Sequence, residues 1–317
     1  MRDLDRFARD VRTGLTSSPR HLSTQWIYDD RGSRLFQKIM ALPTYYLTRA
    51  ETEILDRHGQ DIARHLHEHM AGRDFDIVEL GAGDGTKTQL LLRALLEREA
   101  PVRYVPCDID PSILDTLRDR LAGEMPDLVV APLVCTHTDW FERKMEDRPK
   151  VILFLGSNLG NMVHDHGLDF VHRMARRMGP DDLLMLGLDR RKDPRRILAA
   201  YDDPEGITAA FNKNLLHRIN ASFHADFPVD GFHFYPSYDV RTGEVRSCLL
   251  ATRAMDVRVA DLDLDVHLDA WEPIHTEISR KFNGEDLEEM ATHSDIRVSS
   301  RWTDAQDDFM DVVFAPA

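Results

Sequence analysis

The strongest constraint on how this chain can fold is a short, largely apolar run, Phe75-Asp76-Ile77-Val78-Glu79-Leu80. It is broken at once by Gly81-Ala82-Gly83-Asp84-Gly85 and followed by a helical stretch from Thr86 to Glu99. Strand, glycine loop and helix in that order open a βαβ unit. The rhythm then repeats: apolar runs at Arg103 to Cys107, Leu128 to Val134, Val151 to Leu155 and Asp182 to Leu188 alternate with helices that start near Pro111 and His164. The expected result is a doubly wound, mostly parallel sheet. After Leu188 the pattern changes to a helix-rich stretch, about Arg195 to Phe223, and then to the alternating segments Gly231 to Tyr238, Glu244 to Thr252 and Val257 to Leu268, which predict antiparallel strands. The tail predicts a helix near Glu285 to Thr292 and strands at Ile296 to Trp302 and Asp308 to Phe314, the last returning to the sheet in antiparallel sense. The chain is thus expected to be α/β, with a Rossmann-like domain from 56–190 plus 282–317 and a second α+β lobe from 1–55 plus 191–281.

Composition narrows the partners. Forty basic against 55 acidic residues leave a formal net charge of -15, which repels polyphosphates and anionic membranes, so neither nucleic acid nor a membrane surface is expected. No apolar run approaches the roughly 20 residues of a transmembrane helix, and Met1-Arg2-Asp3-Leu4-Asp5 lacks the apolar core of a signal peptide. Cys107, Cys135 and Cys248 lie far apart without metal-ligand spacing, so no metal is expected and a reducing, cytoplasmic setting fits. The chain is expected to act as a monomer on a small molecule.

The glycine loop is where chemistry first becomes legible. Glycines at the carboxyl end of a strand let a bulky ligand approach the backbone where a helix N-terminus exposes free N–H groups. Nicotinamide and flavin sites share that loop. Three further features, in order, sharpen it. Glu79 precedes the glycines. The second strand ends in Cys107-Asp108-Ile109-Asp110, which places Asp108 to accept from a ribose diol. Thr138-Asp139-Trp140 follows the third strand, offering an acceptor for an exocyclic amine and a ring to cover a base. Transfer of an activated methyl group needs alignment and desolvation, with no metal.

Seven ordered segments carry a resemblance. They are Tyr28-Asp29-Asp30-Arg31-Gly32-Ser33-Arg34-Leu35-Phe36, Leu42-Pro43-Thr44-Tyr45-Tyr46-Leu47-Thr48-Arg49-Ala50-Glu51, the glycine loop with Lys87, Phe154-Leu155-Gly156-Ser157-Asn158-Leu159-Gly160-Asn161, Ala200-Tyr201-Asp202-Asp203, Ala210-Phe211-Asn212-Lys213-Asn214, and His275-Thr276-Glu277-Ile278-Ser279-Arg280-Lys281-Phe282. Over nearly its full length the chain resembles the L-histidine Nα-methyltransferases of ergothioneine biosynthesis. The resemblance implies a class I methyltransferase domain that uses S-adenosyl-L-methionine, a substrate-binding lobe, and three successive transfers to the α-nitrogen of histidine, giving hercynine. It implies that Asn161 and Tyr201 hold the amino and carboxylate ends of the substrate, that Tyr45, Glu277 and Ser279 surround the imidazole, and that Tyr28, Gly81, Gly83, Lys87, Asp108, Asp139 and Trp140 bind the cofactor.

The residue chemistry is compatible with those roles. A carboxylate at Glu277 accepting from an imidazole N–H would favour histidine over apolar amino acids, which would leave that buried charge unpaired. Alternation along the strand places Glu277 and Ser279 on one face. The acceptor amine must be deprotonated before attack; Tyr28, Tyr45 or solvent are candidates to carry the proton, and Asn161 to align the amine, without an obligatory general base. At Ser247 the chain departs from the resemblance, because the family carries a methionine at the aligned position. That exchange leaves room beside the ring and keeps open a same-fold enzyme acting on another amino acid or amine. A catalytically idle cofactor- or partner-binding module is the third reading, against which the polar groups of the cleft argue.

Overall fold

The computed structural model describes residues 2–144 and 146–317; Met1, the first residue of the expected N-terminal lobe, lies outside them. In chain order the elements are α1 (Arg2–Thr16), α2 (Asp30–Ala41), α3 (Leu47–Met70), β1 (Phe75–Leu80), α4 (Thr88–Glu97), β2 (Val102–Asp108), α5 (Pro111–Glu124), β3 (Val129–Val130), β4 (Leu133–Val134), α6 (His137–Glu142), β5 (Lys150–Phe154), α7 (His164–Ala175), β6 (Leu183–Asp189), α8 (Pro194–Tyr201), α9 (Ile207–Phe223), β7 (Phe232–Asp239), β8 (Glu244–Ala251), β9 (Met255–Val259), β10 (Leu264–Leu268), β11 (Pro273–Arg280), α10 (Gly284–Ser294), β12 (Ile296–Thr303) and β13 (Phe309–Pro316). They fall into two units, Met1–Tyr46 with Lys192–Ser279, and Leu47–Arg191 with Arg280–Ala317.

The second of these units is built on one sheet in the order β12-β13-β6-β5-β1-β2-β3, with β4 also on β2. Its inner strands are parallel and β13 runs antiparallel to β6. Burial on both faces explains why β1, β5 and β6 are buried along their whole length. Side chains alternate between two cores. Ile77, Tyr104, Leu153, Met185 and Val313 pack with α3, α4 and α5; Val78, Val105, Ile152, Leu184 and Val312 pack with α6, α7 and α10. The expected third strand is split into β3 and β4, because Pro132 has no N–H to give to the ladder on β2. The chain leaves β1 toward β2 and later returns to β1's other side as β5, so a topological switch point lies between β1 and β5, where such sheets bind ligands.

The other unit packs α1 and α9 with a three-stranded antiparallel sheet, β11-β8-β7, around a core that includes Phe7, Trp26, Phe211, Leu249 and Ile274. The single expected strand over Val257 to Leu268 is instead the hairpin β9–β10, turned at Asp263 in left-handed backbone. Residues 47–55, expected in the substrate lobe, belong to the sheet-bearing unit, since they are the first turns of one continuous helix whose Ala50, Ile54 and Leu55 enter that unit's core. Lys281 follows them there: its Nζ lies 2.8 Å from Asp189, both fully buried.

Candidate functional site

The sheet-bearing unit brings Gly81, Gly83 and Asp108, three of the residues expected to meet the cofactor, together at the carboxyl ends of β1 and β2. The register pairs Leu80 with Cys107, so the chain leaving β1 runs beside Asp108. Gly81 and Ala82 donate to the Cys107 carbonyl at 2.8 and 3.1 Å, and Gly83 N–H donates to Asp108 Oδ2 at 3.0 Å. Gly81 (φ 73°) and Gly83 (φ 54°) take left-handed backbone, which other residues adopt at a cost. Asp108 Oδ1 accepts from Asp110 N–H at 3.1 Å. Its carboxylate therefore fixes the loop with one lone pair on each oxygen and keeps a second on each for a ribose diol. A Cβ at Gly81 would stand 3.6 Å from His137 Nε2 and 3.8 Å from Asn158 Nδ2, so the loop opens between two polar side chains. These features fit an adenosyl cofactor.

His137 escaped the sequence reading, although its place right after the interrupted third strand was a usable signal. Its ring stands edge-on to Phe154 at 5.3 Å and Phe170 at 5.6 Å. Burial lowers its pKa against the pull of Asp108, leaving the imidazole neutral at physiological pH. Trp140 does not take its expected place, while Asp139 stands at the start of α6. Asp139 accepts from Thr136 N–H at 3.1 Å and Thr136 Oγ1 at 2.7 Å, in the capping box that starts α6. Trp140 is 0% exposed in the core against α7, 5.5 Å from Phe141, so it offers no face to a base. Consecutive positions of one helix face different ways, so Asp139 stays exposed while Trp140 enters the core.

The loop after β5 carries Asn161. Gly156 (φ 77°) and Ser157 (φ 56°) are both left-handed, unusual for a serine and typical of a constrained functional loop. A short 3-10 turn, Asn158–Asn161, ends with Asn161 exposed. Lys87 closes the opposite side, its Nζ 3.5 Å from where a Cβ of Gly156 would be.

The other unit gathers most of the predicted substrate residues through aromatic edges. Tyr28 ends the 3-10 turn Thr24–Ile27, whose last carbonyl accepts from Asn214 Nδ2 at 3.0 Å, and Asp29 caps α2 through Gly32 N–H at 2.8 Å. The Tyr28 ring meets Phe36 at 5.6 Å and Phe211 at 5.4 Å, Phe36 meets Tyr45 at 6.2 Å, and Tyr45 meets Tyr201 at 6.5 Å. Tyr201 OH and Ser279 Oγ are hydrogen-bonded at 2.8 Å. Glu277 is half-buried, and its charge reaches Tyr28. Tyr28 keeps 43% of its surface exposed. Desolvation of its phenol by the surrounding protein, then Glu277, then Tyr201 raise its pKa above the ordinary tyrosine value. Tyr28 is therefore a phenol at neutral pH and not a resting base. Burial along β11 alternates through Thr276 and then changes phase, so Ser279 is buried while Glu277 and Ile278 are each half-buried.

Two residues from the quoted segments prove to be structural partners of the site. Thr276 Oγ1 donates to Asn212 Oδ1 at 2.6 Å and lies 3.1 Å from the Ser247 carbonyl, tying α9, β8 and β11 together. Ser247 sits on β8 opposite Pro236, 1% exposed, and its hydroxyl has no partner among the described residues. No group of three or more potential metal ligands occurs among the described residues, and no described helix is long and apolar enough to cross a membrane.

The comparisons with known proteins agree with this chemistry. Two histidine N-alpha-methyltransferases, from Mycolicibacterium smegmatis and Mycobacterium tuberculosis, are each 37% identical over 95% of this chain and 92% of their own length. The Ergothioneine biosynthesis protein 1 of Neurospora crassa is 29% identical over 95% of this chain, which spans 35% of that longer protein. Residues 7–316 match the family described as histidine-specific methyltransferase, SAM-dependent, and the chain belongs to that family.

Proposed function

We propose that this chain transfers methyl groups from S-adenosylmethionine to the α-amino group of L-histidine, three in succession, yielding hercynine for ergothioneine biosynthesis. The observation that carries this reading is the array Tyr28, Tyr45, Tyr201, Ser279 and Glu277 within one unit, in a chain that matches the histidine-specific family from end to end. The cofactor supplies a methyl group already activated on a sulfonium, so the protein's tasks are to align the amine, exclude water and take up a proton. Asn161 is assigned to the amine and Tyr201 to the carboxylate, with Glu277 and Ser279 on the imidazole. Asp108, Gly81, Gly83, Lys87 and His137 are assigned to the cofactor. The amine proton leaves through Tyr28 or Tyr45, each relaying it as a phenol, or to solvent. The -15 net charge supports a small cationic or neutral amine as acceptor in place of a polyanion. Three buried free thiols support a reducing cytoplasmic setting, and we take the working form as the monomer.

The test is mass spectrometry of the product formed from histidine. Trimethylhistidine, with the mono- and dimethyl compounds also accepted, is the expected result; product that stops at one methyl, with the dimethyl compound inert, sinks the trimethylation. A second reading, another amino acid or amine as acceptor, is favoured by the unpartnered buried hydroxyl of Ser247. Labelled cofactor offered with a panel of free amino acids separates the two.

A further inference from the structure

Beneath the cofactor loop lies a group of buried charges that the proposed chemistry does not use. Glu51, on α3, is 0% exposed, and each of its carboxylate oxygens has a separate duty: Oε1 accepts from Gly156 N–H at 2.7 Å, and Oε2 pairs with Lys87 Nζ. The carboxylate reaches across the sheet at Gly187, where a Cβ would come within 2.0 Å of Oε1. Only glycine lets this contact form. Directly opposite Gly187 in the β6–β13 ladder is Asp311, on the same face of the sheet, 0% exposed, with neither carboxyl oxygen hydrogen-bonded to any described residue. Paired residues in a ladder hold their Cβ atoms about 5 Å apart, so Asp311 stands beside the Glu51 carboxylate.

We propose that Glu51 is the positioning residue of the cofactor loops, fixing the Lys87 ammonium and the Gly156 N–H together, and that Asp311 is a reserve counter-ion for Lys87. A buried carboxylate without partners is costly when ionised, and its natural state here is the neutral acid. Burial first, then the charge of Glu51, hold Asp311 well above the usual carboxylate range, with Lys87 pulling the other way. For Lys87 burial works against the charge, but Glu51, Glu79 and Asp311 outweigh it and the ammonium persists. The other groups facing the cluster are Glu79 on β1, which accepts from Thr88 Oγ1 at 2.7 Å and from Tyr104 OH, and the Asp189–Lys281 pair two residues further along β6. Removing the Glu51 charge takes away the second of the two effects that keep Asp311 protonated, and leaves Lys87 without its partner to draw out the proton against burial. The acid then ionises and substitutes. The inference rests on the cofactor and on Lys87 meeting it, whatever the acceptor amine.

The experiment is calorimetric titration of S-adenosylhomocysteine into the ligand-free protein and into Glu51→Gln, Asp311→Asn, the double variant and Lys87→Ala, repeated from pH 6 to 8.5. Lys87→Ala is expected to lose about tenfold or more in affinity, the worth of a charge-assisted bond. Asp311→Asn alone costs least and Glu51→Gln more, while the double variant falls below the product of the two singles by a factor of roughly three to a hundred, the coupling typical of one ionic network. In Glu51→Gln affinity should also drop on acidification as Asp311 takes its proton back, a step that the double variant lacks and that a merely structural glutamate would not produce. Should Glu51→Gln not fold, Glu51→Ala, which also removes the charge, carries the same comparison with Asp311→Asn. Additive losses, or no acid step in Glu51→Gln, overturn the reserve role. Unchanged affinity in Lys87→Ala overturns the whole proposal while leaving the histidine assignment, which product analysis tests, untouched.

Discussion

Replacing Asp108 is the sharpest perturbation of the cofactor half-site, because its carboxylate has defined duties on both oxygens. Gly83 N–H and Asp110 N–H each give it a hydrogen bond, at 3.0 and 3.1 Å, and its remaining lone pairs are assigned to the ribose diol. In Asp108→Ala both loop donors turn to water, which reaches this half-buried position, so the loss of stability is expected to stay near 1–2 kcal/mol. Binding suffers more. The diol loses its charged acceptor and the loop loses its brace, together about 2–4 kcal/mol, or roughly thirty- to a thousandfold in affinity for S-adenosylhomocysteine. Asp108→Asn separates the two effects. Its amide oxygen can satisfy one of the two N–H donors, while its NH2 opposes the other, so an intermediate loss is expected although the side-chain shape is unchanged. Calorimetry for affinity and thermal melting for stability make the test. An Asp108→Ala protein that binds S-adenosylhomocysteine within twofold of the parent refutes the assignment. One that melts far below it shows that the carboxylate serves the fold.

Three other outcomes follow from named contacts. Glu277→Ala should lower kcat/KM for histidine by on the order of tenfold to a hundredfold with cofactor affinity retained, and lower it less for tryptophan, so an equal fall for both substrates would mean that the imidazole is read elsewhere. Trp140→Ala should cost roughly 3–5 kcal/mol in denaturant unfolding, since the ring is wholly buried, whereas Trp140→Phe should keep affinity for S-adenosylhomocysteine within about threefold; a stable Trp140→Phe that loses the ligand would return the ring to the site. Glu79 is fully buried, and burial, against Thr88, Tyr104 and Lys87, pushes its pKa up to about 7. A folded-state pKa above the unfolded value makes stability greatest below the unfolded pKa and removes it as pH rises through about 7. The parent should therefore lose up to roughly 3 kcal/mol between pH 4.5 and 7.5 relative to Glu79→Gln, and parallel stability profiles for the two would falsify the link.

Local chemistry was enough to find the sheet. Its strands are buried on both faces, so they appear as apolar runs, and the glycine loop must follow the first of them for any ligand to approach the backbone. The capping chemistry of α6 was equally local, since Thr136 and Asp139 stand at capping-box spacing, but the same four residues also suit a binding loop. Only packing against Phe141 and Arg177 decides that Trp140 turns inward.

What the sequence by itself determined is the order of strands and helices, the loop with Asp108 beside it, and the family, because each is set by residue type over a short span. The tertiary structure alone decided which side chains meet across long separations. Tyr201 finds Ser279 across 78 positions, Lys87 finds Glu51 across 36, and Asp311 comes to lie opposite Gly187. It also moved titrations, holding the Tyr28 phenol further from ionisation and the His137 imidazole further from protonation. Such pairings depend on which strands become neighbours and how deeply each group is withdrawn from water. Both are set by the collapse of the whole chain around its cores, and neither is recorded in the spacing of residues along it.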